Sequence, residues 1–271
     1  MNLDIFQVDS FTNEPFRGNP AGVCILDAMR PDRWLGDVAA EMNLSETAFL
    51  LAQPDGWRLR WFTPRVEVKL CGHATLAAAH VLWEAGLLAA TAEARFHTLS
   101  GVLTARGRGE WIEMDFPAHS TKPADSAGPL ADALGILPLG IYDAGWTWLV
   151  EVDNERTVRK MTPDFAAMQP PYGSAIVTAR SDGADCDFVC RFFAPCVGIN
   201  EDPVTGSAHC VLGPFWSGRL GKTSMVSRQV SARGGVVKVT VAGDRVKLAG
   251  QAVTVLRGRL SDEATSNMPD A

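Results

Sequence analysis

No long apolar run is present. The longest mainly apolar stretch, around residues 74–85, carries His80 and Glu84. Spanning a bilayer takes roughly 20 apolar residues, so no membrane association is expected. The opening Met1-Asn2-Leu3-Asp4-Ile5-Phe6 lacks the basic region and apolar centre of a secretory leader, which makes a cytoplasmic location the expectation. Basic charge is short as well: 25 Lys and Arg stand against 31 Asp and Glu, a formal charge of −6. A nucleic-acid binder needs a basic footprint, and none exists here. A small anionic substrate stays open, because backbone amides bind anions without side-chain charge. No P-loop, GxGxxG or HExxH pattern occurs, so no nucleotide, metal or other cofactor is expected. CxxC is missing too. The run Cys186, Cys190, Cys196 has no histidine nearby, which disfavours zinc; free thiols buried on strands are expected, without a disulfide framework.

What the 271 residues do contain is an internal echo. Arg60-Trp61-Phe62-Thr63-Pro64-Arg65-Val66 returns 131 residues later as Arg191-Phe192-Phe193-Ala194-Pro195-Cys196-Val197. Cys71-Gly72-His73-Ala74 returns 134 residues later as Thr205-Gly206-Ser207-Ala208, which implies a three-residue insertion around Asn200 to Asp202. The longer offset persists: Gly101-Val102 matches Gly235-Val236, and Gly109-Glu110 matches Gly243-Asp244. Upstream, Thr47-Ala48-Phe49-Leu50 resembles Ser174-Ala175-Ile176-Val177, which sets Glu46 against Gly173. A period this long indicates a duplicated domain rather than a solenoid. The boundary is expected near residue 120, in the Pro/Ser/Ala-rich stretch 117–129, giving lobes 1–120 and 121–271, with a polar, frayed tail over 261–271.

Each half starts with short β-rich runs; in the first half these are Asp4–Val8, Gly22–Leu26, Thr47–Ala52 and Trp57–Phe62. A helix follows, then an alternating hairpin. One hairpin runs Val102 to Arg106, turns at Gly107–Gly109 and returns over Trp111 to Phe116; the other joins Val236–Val241 to Arg245–Leu248. The helices are expected over 72–87 and 206–220. The first is apolar on nearly every face, which predicts a buried helix. Gly213-Pro214 should kink or break the second. The expected fold is therefore α+β: two pseudo-symmetric lobes, each a curved or barrel-like, mostly antiparallel sheet around a central helix.

Both helices open on glycine, where free backbone N–H groups can hold a carboxylate and stabilise negative charge. The two starts could face one cleft across a pseudo-twofold. The polar residues around them are not duplicated. His73 is opposite Ser207, Asp202 falls in the insertion, and Glu46 is opposite a glycine. Such asymmetry points to a site specialised for chemistry.

The set Asp9-Ser10-Phe11, Gly18-Asn19-Pro20-Ala21-Gly22, Ser45-Glu46-Thr47, Cys71 to Thr75 and Glu201 to Ala208 resembles the PhzF-like phenazine-biosynthesis family, relatives of diaminopimelate epimerase. The resemblance implies a metal-free, cofactor-independent isomerase acting on a small carboxylate-bearing substrate, and a homodimer. It implies Glu46 as general base and acid, with His73 and Asp202 assisting. Ser45 and Thr205, with amides at Gly72, Gly206 and Ser207, would bind substrate. In the epimerases a cysteine at each helix start works as a pair. Here Cys71 faces Thr205, and a threonine hydroxyl is too weak an acid to replace a thiol near pH 7, which disfavours a two-cysteine racemase. An epimerase or racemase using Cys71 with Glu46 stays as an alternative, as does a non-catalytic carboxylate-binding or interaction protein. Trp146, Trp148, Tyr172 and Phe215 are candidate cleft walls that the sequence does not assign. His80, His97, His119 and His209 read as structural.

Overall fold

The computed structural model describes residues 3–124, 128–261 and 264, so most of the tail expected to fray lies outside the described residues. Two compact units emerge: Met1–Asp115 with Ala249–Ala271, and Phe116–Leu248.

The first unit opens with β1 (Asp4–Ser10), β2 (Asn19–Leu26), α1 (Asp32–Met42), β3 (Glu46–Gln53) and β4 (Gly56–Phe62). It continues with β5 (Glu67–Val68), α2 (Gly72–Glu84), β6 (Ala94–Thr98), β7 (Gly101–Arg108) and β8 (Trp111–Pro117), whose last two residues pass into the second unit. Antiparallel partners are β1 with β2, β3 with β4, β4 with β5, β6 with β7, and β7 with β8. The pairs β2/β3 and β4/β6 are parallel. Parallel neighbours need a crossover, and α1 and α2 are those crossovers.

The two helices differ in pattern because they differ in surroundings. α1 buries one face, Trp34, Leu35, Val38 and Ala39, against Ile5, Leu26, Phe49 and Phe62. Nothing in the sequence reading anticipated it. α2 is buried from His73 to Ala79 and again at Val81 and Leu82, and touches β1, β2, β3 and β7. It ends at Glu84, three residues short of expectation, because Gly86 turns to φ 69°. The β7–β8 turn falls at Gly109-Glu110, with Gly107 still in the strand.

The second unit repeats the plan. It contains β9 (Lys122–Pro123), α3 (Gly128–Leu134), β10 (Gly140–Asp143), β11 (Trp148–Glu151), α4 (Glu155–Lys160), β12 (Ala175–Arg180) and β13 (Phe188–Ala194). After a 3-10 turn at Pro195–Val197 come β14 (Ile199–Asp202), α5 (Gly206–Leu220), β15 (Ser224–Gln229), β16 (Gly235–Ala242) and β17 (Arg245–Gly250), whose last two residues pass into the first unit. The pairs β10/β11, β12/β13, β13/β14 and β15/β16 are antiparallel, and β11/β12 and β13/β15 parallel, as in the first unit. Glycines 109 and 243 turn the matching hairpins at φ 64° and 62°.

The duplication extends to side chains. Arg60 grips Glu67 through two N–O contacts of 2.7 Å, and Arg191 grips Glu201 at 2.7 and 2.9 Å. Each guanidinium also covers a phenylalanine two residues on, Phe62 at 5.0 Å and Phe193 at 4.9 Å.

That correspondence corrects two alignments. Trp61 pairs with Val68 where Phe192 pairs with Asp202, so Asp202 is the counterpart of Val68 and stands outside the insertion. The extra residues lie earlier, where the 3-10 turn at Pro195–Val197 and Gly198 absorb them. Thr47 pairs with Phe62 where Ala175 pairs with Phe193, which places Glu46 opposite Ser174 rather than Gly173.

Two further expectations are revised. α5 runs unbroken through Pro214. Proline cannot donate to the carbonyl four residues back, that of Cys210, and the His119 amide bonds that carbonyl instead at 3.0 Å. The final strand β18 (Ala252–Arg259) pairs antiparallel with β1, so residues from 249 onward group with the first unit and not, as expected, with 121–248.

Candidate functional site

In the first unit the polar residues singled out by sequence converge at the start of α2. β3 begins at Glu46, one residue after Ser45, and the parallel pairing of β2 and β3 sets Glu46 beside Ala21. Cys71 is the extended residue that precedes α2, and His73 lies in its first turn. His73 Nε2 is 3.3 Å from Glu46 Oε2 and 3.3 Å from Ser45 Oγ, and His73 Nδ1 is 3.5 Å from Cys71 Sγ. Carboxylate, imidazole and thiol donor atoms all lie within 4.8 Å of one another.

The surroundings hold this group still. The Ser10 hydroxyl donates to the His73 carbonyl at 2.8 Å, and the Thr75 hydroxyl to the Cys71 carbonyl at 2.6 Å. Ser10 is itself fixed by the loop behind it. There the Asp9 carboxylate accepts the Phe16 amide at 2.7 Å, and Gly18 passes so close that a Cβ would stand 2.2 Å from the Ser10 carbonyl oxygen. The Ser45 hydroxyl also lies 3.4 Å from Asn19 Oδ1. The Gly-Asn-Pro segment therefore buttresses the site.

Electrostatics follow from burial. The Glu46 side chain is only 14% exposed. Desolvation raises its pKa above the ordinary carboxylate range, and hydrogen bonds from Ser45 and Cys71 pull it partly back. No side chain caps the start of α2, so Gly72 opens a helix end whose backbone donors suit an anion.

The second unit builds a different polar group at the equivalent helix start. The Thr205 hydroxyl donates to Asp202 Oδ2 at 2.5 Å instead of capping α5, and both residues are buried. Gln229, at the end of β15, joins them: Nε2 donates to the Asp202 carbonyl at 2.7 Å and Oε1 accepts the Thr205 amide at 2.9 Å. Gly206 is buried and Ser207 exposed. His209 donates from Nδ1 to the Thr205 carbonyl at 2.7 Å, so Nε2 is left to accept from the Ser227 hydroxyl at 2.9 Å. Burial pushes the His209 pKa down to about 4, which keeps the ring neutral and structural. Thr75 and His209 thus serve the same carbonyl in the two units. Gln229 and Ser227 were missed by sequence reading, since neither lies in the duplicated motifs.

Other expectations resolve less uniformly. Phe215 is packed between Tyr142, Trp216 and the Arg219 guanidinium, a core position rather than a wall. Trp146 is exposed and leans on Phe192, while Trp148 packs on Tyr172. All six cysteines are free, but only Cys190 of the 186–196 run is a buried strand residue; Cys186 is half-buried and Cys196 is exposed on the 3-10 turn. Among the described residues no helix is long and apolar enough to cross a membrane.

An α+β architecture with this topology is shared with epimerases. The crystal structure of a hydroxyproline epimerase from Agrobacterium vitis superposes with a TM-score of 0.60 over 96% of this chain and 92% of that one, a likeness of fold alone at 12% identity. The chain belongs to the phenazine biosynthesis-like family, PhzC-PhzF, whose pattern matches residues 8–258. It is 50% identical to an uncharacterized isomerase of Halalkalibacterium halodurans over 96% of this chain and 99% of that protein. The crystal structure of a PhzF family protein from Enterococcus faecalis gives a TM-score of 0.92 at 39% identity, over 96% of this chain and all of that one.

Proposed function

We propose that this protein is a cofactor-independent isomerase that moves a proton between carbons of a small carboxylate-bearing substrate, with Glu46 as the proton carrier. The observation that carries this reading is a carboxyl only 14% exposed, that of Glu46, beside an imidazole and a helix start that no side chain caps. Ionised Glu46 takes a proton from carbon. Charge left on the substrate is met by the amides at Gly72 and by His73, whose Nε2 lies between Glu46 and Ser45. Protonated Glu46, favoured by burial, then returns the proton at another carbon of the conjugated skeleton. Ser45 orients the imidazole.

Asp202, Thr205, Gly206 and Ser207 keep, as proposals, the assisting and substrate-holding roles that the resemblance implies. Gln229 fixes Asp202 and Thr205 from within their own unit. Family membership and relatives named isomerases support the reaction class. Cytoplasmic location and a homodimer complete the reading.

The test is proton exchange with solvent. The protein is incubated in D2O with a bacterial metabolite extract, and mass spectrometry finds compounds that gain deuterium. Wild type labels at least one small carboxylate, and Glu46→Gln loses that labelling by more than about 100-fold, the scale of a general acid–base contribution. Equal labelling by the variant rejects the assignment. Labelling lost in Cys71→Ser as well as in Glu46→Gln supports the epimerase that uses Cys71 with Glu46 instead.

A further inference from the structure

We propose that Glu46, Cys71 and His73 form a binding site for a thiophilic divalent cation, Zn2+ foremost, and that a bound ion blocks proton transfer by occupying the Glu46 carboxylate. The blocking part rests on the reading of Glu46 given above; the binding part does not. Among the described residues these three make the one group of His, Cys, Asp and Glu donors compact enough to share an ion, with one donor atom from each within 4.8 Å of the others. The imidazole Nε2 to carboxylate separation is 3.3 Å and the thiol to Nδ1 separation 3.5 Å. These contacts use opposite nitrogens of one ring, of which an ion takes one; donors sharing a tetrahedral zinc at ~2.0–2.3 Å stand about 3.3–3.6 Å apart, so one donor atom from each residue, now within 4.8 Å of the others, has about 1 Å to close onto a common ion.

The donor chemistry selects the ion. One sulfur, one nitrogen and one oxygen suit zinc, whereas magnesium and calcium demand oxygen shells. Three protein ligands leave a fourth position for water, the pattern of an open zinc site. Supporting contacts are already in place: Thr75 holds the Cys71 carbonyl, Ser10 holds the His73 carbonyl, and Ser45 lies against the His73 ring. The ligands come from the start of β3 and the start of α2, elements paired or packed into the sheet. The second unit lacks the set, since Thr205 and Ser207 occupy the places of Cys71 and His73. Binding is balanced by loss of the thiol proton to solvent: Zn2+ gains a thiolate and one H+ is released. The carboxylate lone pairs are then engaged by the ion and cannot accept a proton from carbon.

Co2+ alone is the probe, titrated into metal-free full-length protein and followed by absorbance, then displaced with Zn2+. The expected result is one ion per chain, with a thiolate-to-cobalt charge-transfer band and the visible bands of four-coordinate cobalt. Cys71→Ser, a near-isosteric change, loses the charge-transfer band and weakens Zn2+ by more than about 10-fold, the least that even an outer-shell change costs. Cys196→Ser, at the exposed thiol, keeps both. Absence of the band in wild type overturns the proposal, as does a band that survives in Cys71→Ser or disappears in Cys196→Ser. Deuterium labelling that continues at full rate with the site loaded also overturns it. The absorbance readout needs no activity, so failure of metal binding leaves the proton-transfer reading to be judged by Glu46→Gln on its own.

Discussion

Glu46 combines burial with a polar neighbourhood, and the conflict has a thermodynamic signature. Its folded-state pKa lies above the ordinary value because burial disfavours the ion. Folding therefore favours the protonated form. Stability contributed at low pH is lost as pH rises from the ordinary carboxylate range through the raised folded value. Glu46→Gln cannot ionise and escapes that loss. The variant should melt a few degrees above wild type at neutral pH, with the gap closing below about pH 4, as thermal unfolding across pH would register. A stabilising change that destroys activity is what a carboxyl retained for chemistry predicts. Much of this residue set was legible: Glu46, Cys71 and His73 stand in short motifs whose unlikeness to the second half was visible. Gln229 was not, because its role arises from a strand end reaching a helix start 24 residues earlier in the chain. Asp202 was noticed but misplaced, since letter matching cannot tell which residues of a loop are extra until the 3-10 turn reveals them.

Strands with alternating or β-branched sequence were read within a few residues, as β1, β3, β4, β7, β16 and β17 attest. The crossover helices α1 and α4 were not, because one apolar face on a short helix gives a weak signal beside strong strands. Pro214 misled in the other direction: proline removes one helical hydrogen bond, and the penalty shrinks where another amide, here that of His119, bonds the abandoned carbonyl. Close packing around α2 sets its own sequence demand. At Gly250 a Cβ would stand 2.4 Å from Phe11 and 2.8 Å from Leu76, both fully buried. Gly250→Ala should cost about 3 kcal/mol through overpacking, measured by urea denaturation. A loss under about 1 kcal/mol would mean that this contact between loop, helix and strand yields more readily than described.

For the molecule as a whole, duplication is the organising fact, and one departure from it matters. The first unit is discontinuous in sequence. β18 returns to pair with β1 over Asp4 to Ser10, Phe11 donates to the Gln251 carbonyl at 2.7 Å, and Leu260 donates to the Leu3 carbonyl at 2.9 Å. A chain ending at Leu248 should leave β1 without its outer partner and fail to protect the amides of the first unit from hydrogen exchange, while those of residues 128–242 stay protected. Sequence repeats revealed that two similar bodies exist. They could not reveal this return, because β18 extends the first sheet and has no marked motif of its own.

The proposed proton transfer depends most on the raised pKa of the Glu46 carboxyl. Protein labelled with 13C at the glutamate side-chain carboxyl, compared with Glu46→Gln to assign the resonance, reports the ionisation of Glu46 directly by NMR titration. A midpoint above the ordinary glutamate value is the result this structure predicts, and a midpoint at or below it would contradict the role given to Glu46.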